Sequence, residues 1–169
     1  YYREQFLRAC AAVTLMLSCW KNSPGVLIRP RADILLFAVG AYLGSIVSTP
    51  KAAARLVSDL PRLTLTLDYT HFTRAGFPDS AIEPLLQSTS HFHVRGTRPG
   101  RLQESFAKNT IDYRQVVKHM RASNYSGWIG IEYVRTEWER CNECDNLSET
   151  ILFRDFFFCS SKEKQLKTK

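Results

Sequence analysis

An α/β fold built from parallel βα units is what this chain predicts, and three observations predict it. From about residue 34 onward, short apolar runs alternate with helical patterns, strand then helix, repeated four times. Consecutive parallel strands need a crossover between them, and a helix supplies it. The third observation is the polarity of the strands themselves. In "LTLTLD" Leu63, Leu65 and Leu67 share one face while Thr64, Thr66 and Asp68 share the other, and in "WIGIEYV" Ile129, Ile131 and Tyr133 oppose Trp128, Gly130 and Glu132. An open doubly wound sheet would be apolar on both faces. One apolar face and one polar face ending in a carboxylate fit a barrel of the TIM type better, with its site at the carboxyl ends of the strands.

The elements follow in order. "YREQFLRACAAVTLMLSCW" reads as one amphipathic to buried helix, and "NSPGVLIRPRAD" as a loop punctuated by Pro and Gly. "ILLFAVGA" is the first strand. "TPKAAARLVSDL" is a helix with Thr49 as N-cap and Pro50 at its first position, where the missing N–H costs nothing. "LTLTLDY" is a strand, "PDSAIEPLLQS" a helix, "HFHVRG" a strand, "DYRQVVKHMRASNY" a helix, "WIGIEYV" a strand and "NLSETILFRDFFF" a helix. That makes a partial barrel of about four to five βα units, where closure takes eight strands. A partial barrel leaves two sheet edges and much apolar surface open. It predicts a homo-oligomer or pairing with a missing half-barrel.

Composition sets the outer limits. Hydrophobic residues at 44% and charged residues at 23% are ordinary for a folded domain and exclude a disordered chain. The net charge of +7 invites a nucleic-acid reading, but "SSKEKQLKTK" carries four Lys against one Glu and so supplies +3 of it. Residues 1–169 therefore read as one domain, with 160–169 a basic, disordered tail. No run reaches the roughly 18 apolar residues of a membrane span, and no secretory or transit segment is evident. The chain opens at Tyr1 rather than Met, which suggests a processed product or a fragment. Five cysteines, at 10, 19, 141, 144 and 159, fit reduced thiols and a cytoplasmic location. "CNEC" lacks the second pair that a zinc ribbon needs. His119, among Lys118 and Arg121 on a helix, reads as solvated surface.

Aligned by their places at strand ends, the candidate site residues are Asp68, His71, His91, His93, Arg95 and Glu132. Two carboxylates with one or two imidazoles make a mixed oxygen and nitrogen site, suited to Mn²⁺, Mg²⁺, Co²⁺ or Zn²⁺. Taken singly each has a structural explanation: a satisfied strand histidine, a loop-capping Asp68, or a Glu132 paired with Arg95 or Arg135. The recurrence at successive strand ends is the signal.

"LTLDYTHF", "HFHVRG", "GWIGIEYV" and "EWERCNECDNLSETILFRD" together resemble the sugar phosphate isomerase and epimerase superfamily with the xylose isomerase-like barrel. The resemblance runs from about Phe37 to Phe156 and covers the second half of such a barrel. It implies a divalent metal held by Asp68, His91 and Glu132, with Glu132 also catalytic. It implies substrate contacts from His71, His93 and Arg95, His91 being favoured over His93 as ligand because it opens the motif. The implied reaction is proton transfer on a sugar or sugar phosphate through an enediolate, the metal polarising the carbonyl. The pattern departs at the preceding strand: Gly40 stands where the family has a metal-binding Glu, and Tyr42 near where a His is often found. The metal would then be weakly held, and a non-catalytic relative becomes an alternative. A third reading, an abasic-site endonuclease-like metal enzyme, has the basic charge behind it, but those enzymes carry a larger set of His and acidic ligands.

Overall fold

The computed structural model describes residues 37–42, 44–45 and 47–162. The helix expected at 2–20, the loop after it and most of the basic tail lie outside the described residues. Four strands, β1 (Phe37–Gly40), β2 (Leu63–Asp68), β3 (Thr89–Val94) and β6 (Trp128–Ile131), form one sheet in that spatial order. All three pairings are parallel. A separate antiparallel pair, β4 (Gly96–Arg98) and β5 (Arg101–Glu104), follows β3 directly.

The alternation in the sequence decides the faces. Leu65 and Leu67 of β2 and Phe92 and Val94 of β3 are fully buried among helix residues such as Phe72, Val116 and Phe153. Their strand neighbours Thr66, Asp68, His91 and His93 face the other way. In register, Thr66 lies beside His91 and Asp68 beside His93, and His91 and His93 lie beside Trp128 and Gly130 of β6.

Crossover helix α1 (Pro50–Asp59) starts as its sequence requires, with the Thr49 hydroxyl accepting the Ala52 N–H at 3.1 Å. A short helix not foreseen, α2 (Tyr69–Arg74), begins directly at the end of β2 because Asp68 caps it. The single helix expected over "PDSAIEPLLQS" is two pieces, α3 (Asp79–Ile82) and a 3₁₀ turn at Glu83–Ser88. Pro84 explains the break, having no N–H to donate and a ring that clashes with the preceding turn. Helix α4 (Tyr113–Ala122) is capped by Asp112, and α5 (Asn146–Lys162) ends the described chain. His119 is not a free surface group: its Nε2 lies 3.1 Å from Glu83 Oε1 and 2.9 Å from the Gln115 carboxamide nitrogen.

The "RG" that closes the β3 motif has a steric cause. A Cβ on Gly96 would stand 2.2 Å from the Glu104 carbonyl oxygen and 2.9 Å from the Tyr133 hydroxyl. The hydroxyl takes the Gly96 N–H at 2.9 Å and donates to Glu104 O at 2.8 Å, tying β3, the hairpin and the exit of β6 together. Gln103, fully buried, completes that tie. Its carboxamide donates to Val134 O at 2.9 Å and Cys141 O at 2.6 Å and accepts the Val134 N–H at 2.9 Å. No helix among the described residues is long and apolar enough to cross a membrane.

Candidate active site at the carboxyl ends of the strands

Asp68 is the last residue of β2 and the N-cap of α2, so its two oxygens are divided. Oδ1 accepts the Thr70 N–H at 2.9 Å and the Thr70 hydroxyl at 2.5 Å. Oδ2 accepts Arg95 Nη2 at 2.8 Å. Burial alone would raise this carboxyl, but Arg95, His71 and the two Thr70 hydrogen bonds outweigh it and hold it at about 2.

Arg95 is only 3% exposed and makes the centre of the cluster. Its Nε donates to the Thr70 hydroxyl at 3.0 Å. Its Nη2 lies 3.3 Å from His71 Nε2 and 3.8 Å from Glu132 Oε2, besides the Asp68 bond. Below it, the Tyr113 hydroxyl donates to Arg95 O at 2.7 Å and fixes the backbone.

Glu132, one residue past β6, pairs with His93: Nδ1 to Oε2 is 3.0 Å. Burial opposes both charges, yet the pairing lifts His93 above its ordinary value and pulls Glu132 below its own, with Asp68 adding to the first shift and Arg95 to the second. His71 is pushed the other way, down by burial and by Arg95 against the pull of Asp68. His71 is therefore neutral at pH 7, and Glu132 ionised.

The two strand histidines have different places. Asp68, His93 and Glu132 each present one ligand atom, all within 4.8 Å of one another. They line a cavity of about 510 Å³ together with His71, Arg95, Tyr42, Gly40, Thr66 and Trp138, a size ordinary for small-molecule sites. His91, expected from the resemblance to be the ligand, does not line it. It sits one strand repeat below, its ring edge-on to His93 at 4.8 Å, with Nδ1 buried and without a hydrogen-bond partner. Gly130 makes room for both: a Cβ there would meet His91 Nε2 at 3.2 Å and His93 Cδ2 at 3.4 Å. Gly40 lines the cavity at the end of β1 and offers no side chain. Tyr42 packs edge-on against His71, 6.2 Å between ring centres.

Sequence reasoning passed over Thr70, Gly130 and Trp138. Trp138 lay inside the "EWERC" segment already singled out, and a tryptophan among charged loop residues was the available sign.

Oxygen and nitrogen donors in this set fit a borderline or hard divalent ion. The fit is qualified by charge, because Asp68 Oδ2 and Glu132 Oε2 already answer to Arg95 and His93.

Parallel βα units with acids and imidazoles gathered at the carboxyl ends of adjacent strands define a protein of the TIM-barrel class. Residues 38–153 match the family described as xylose isomerase-like TIM barrel, and the chain belongs to that family. Among solved structures it is similar to 3-keto-D-glucoside 4-epimerase, YcjR, from E. coli in its apo form. The two share 18% identity at a TM-score of 0.45, over 68% of this chain and 45% of that one. The chain thus spans under half the length of that epimerase. No curated protein matches it.

Proposed function

We propose that this site moves a proton between carbons of a small sugar, in the manner of a metal-assisted aldose–ketose isomerase. The observation that carries the reading is the meeting of Asp68, His93 and Glu132 within 4.8 Å, from three adjacent strand ends, in an open cavity. Asp68, His93 and Glu132 would hold a divalent ion, whose charge acidifies a C–H beside a carbonyl.

The protein's own groups then have distinct tasks. Glu132, ionised and with its side chain 41% exposed, takes the proton from the carbon beside the carbonyl, exchanges it with solvent and delivers a proton to the neighbouring carbon through an enediolate, while the hydroxyl proton of the first carbon passes to the former carbonyl oxygen. His93 orients that carboxylate. Neutral His71 offers a hydrogen bond to a substrate oxygen, and Arg95 keeps the Asp68 carboxylate charged and fixed. One carboxylate suffices when the proton leaves and returns on the same face. Inversion at carbon needs a second group on the opposite face, and Gly40 supplies none at the position where the family resemblance places a Glu. Isomerisation is the reaction that the described residues suffice for, and epimerisation would need a second group from outside them.

A non-catalytic relative is the second reading, favoured by the 2.8 Å bond that commits Asp68 Oδ2 to Arg95. The described residues gather one Asp, one His and one Glu around a possible ion, a smaller set than the abasic-site endonucleases carry, which argues against the endonuclease reading. Trp128 and Ile129 are exposed on β6, at one edge of a four-stranded sheet. Further strands, from a second copy or another segment, would cover that edge.

Deuterium exchange tests the proposal. The Mn²⁺-loaded protein, incubated with D-xylose, D-glucose and D-fructose in heavy water, should incorporate deuterium at the carbon next to the carbonyl. Glu132→Gln should slow this by roughly 100-fold or more. Mn²⁺ binding without incorporation into any of the three sugars would leave the non-catalytic reading standing.

A further inference from the structure

The loop that leaves β6 is held at several points, and what it holds up is an indole. Arg74 grips Glu139 with two parallel bonds, Nε to Oε2 at 2.8 Å and Nη2 to Oε1 at 2.7 Å. Arg101 Nη2 donates to Arg140 O at 3.3 Å and to Glu143 at 2.6 Å. Gln103 clasps Val134 and Cys141 on either side. Glu139 and Arg140 both stand at φ 55°. Two successive residues with side chains in the left-handed region are costly and persist only where their surroundings over-determine them.

Between these anchors Trp138 is 55% exposed, yet it lines the same cavity as Asp68, His93 and Glu132. A single exposed apolar residue is unremarkable on an ordinary surface. A large flat one, fixed by strained and doubly bonded backbone at the lip of a polar cavity, has a use. The face of an indole is electron-rich, and the C–H face of a closed sugar ring is apolar and slightly positive, so the two stack. The acids and imidazoles deeper in the cavity then meet the hydroxyl edge.

We propose that Trp138 is the platform on which the substrate binds, and that the ligand enters as a closed sugar ring; the ring C–O bond then breaks, the anomeric hydroxyl proton passing to the ring oxygen, and exposes the carbonyl before any proton leaves carbon. The Arg74–Glu139 pair is its positioning device. This rests on the reading of the site as a sugar site and adds the form in which the sugar arrives.

The test is calorimetric titration of the Mn²⁺-loaded protein with D-xylose, D-glucose and D-fructose, and with xylitol, which has no ring. Trp138→Ala should weaken the ring sugars by about tenfold, Trp138→Phe should recover most of that, and xylitol should respond to neither. Glu139→Gln should reproduce part of the loss with the indole still present. The rise in melting temperature on adding Mn²⁺ should be the same in all variants, so that a collapsed site is recognised. Ring sugars that bind wild type and Trp138→Ala equally would overturn the platform while leaving the function intact. Wild type that binds Mn²⁺ but none of the sugars would overturn both.

Discussion

Replacing Arg95 with Gln removes a guanidinium that faces Asp68, His71 and Glu132 together. Arg95, together with His71 and the Thr70 hydrogen bonds, holds Asp68 at about 2 against an ordinary 3.8, which by linkage is on the order of 2–3 kcal/mol of stability at neutral pH. A depressed carboxyl contributes fully above its unfolded value, so this share is intact above about pH 4 and disappears as the pH falls toward 2. Without Arg95, burial acts on Asp68 with less opposition. Breaking a buried pair by deleting one partner costs about 3–5 kcal/mol, or roughly 10 °C in melting temperature for a domain of this size. The informative part is the rescue. A divalent ion brings back positive charge to the same oxygens, so Mn²⁺ should raise the melting temperature of the variant by more than that of wild type. Thermal melts of both proteins in EDTA and in excess Mn²⁺ measure it. A variant that melts within about 2 °C of wild type in EDTA, or that gains no more from Mn²⁺ than wild type does, refutes the view that Arg95 substitutes for a metal charge.

Two further outcomes are expected. His93 is lifted above its ordinary value by Glu132, and a ligand imidazole must lose its proton to bind; apparent Mn²⁺ affinity, followed by the melting shift, should therefore still be climbing as the pH rises past the ordinary imidazole value of 6.5. A response independent of pH would exclude His93 as a ligand. Gly130→Val should weaken the Mn²⁺ shift while circular dichroism stays native, because a Cβ there already crowds His91 at 3.2 Å and the two methyl groups of a valine reach beyond it toward His93, which stands 3.4 Å from that Cβ. An unchanged shift would mean that His93 is not where the metal goes.

Much of this architecture could be read from local chemistry. Thr49 before Pro50 announced a helix start, and alternating Leu and Thr announced a strand with one buried face, because both signals live within a few residues. The acids and imidazoles at strand ends were legible for the same reason. The choice between His91 and His93 was not. Both lie on the same face, and which of them reaches the cavity depends on where the strand stops relative to Asp68 and Glu132, a matter of register between strands. The hairpin of β4 and β5 was not foreseen: Pro99-Gly100, with Gly100 at φ 75°, marks its turn, but its short strands carry no apolar alternation. The break at Pro84 was legible too, since a proline inside a helical pattern argues against continuity. Trp138 is placed by contacts to Arg74, Arg101 and Gln103, 30 or more residues away, and no window along the chain contains them.

Gln103 gives that long-range dependence a genetic meaning. It faces no part of the cavity, yet its single carboxamide fixes both ends of the segment that displays the indole and follows Glu132. A survey of inactivating mutations would score position 103 beside the acids and imidazoles. A search confined to cavity-lining residues would miss it. Its partners at 134 and 141 are main-chain atoms, which almost any residue supplies, so a hairpin and an exit loop from different relatives would still join provided that the glutamine stayed at 103.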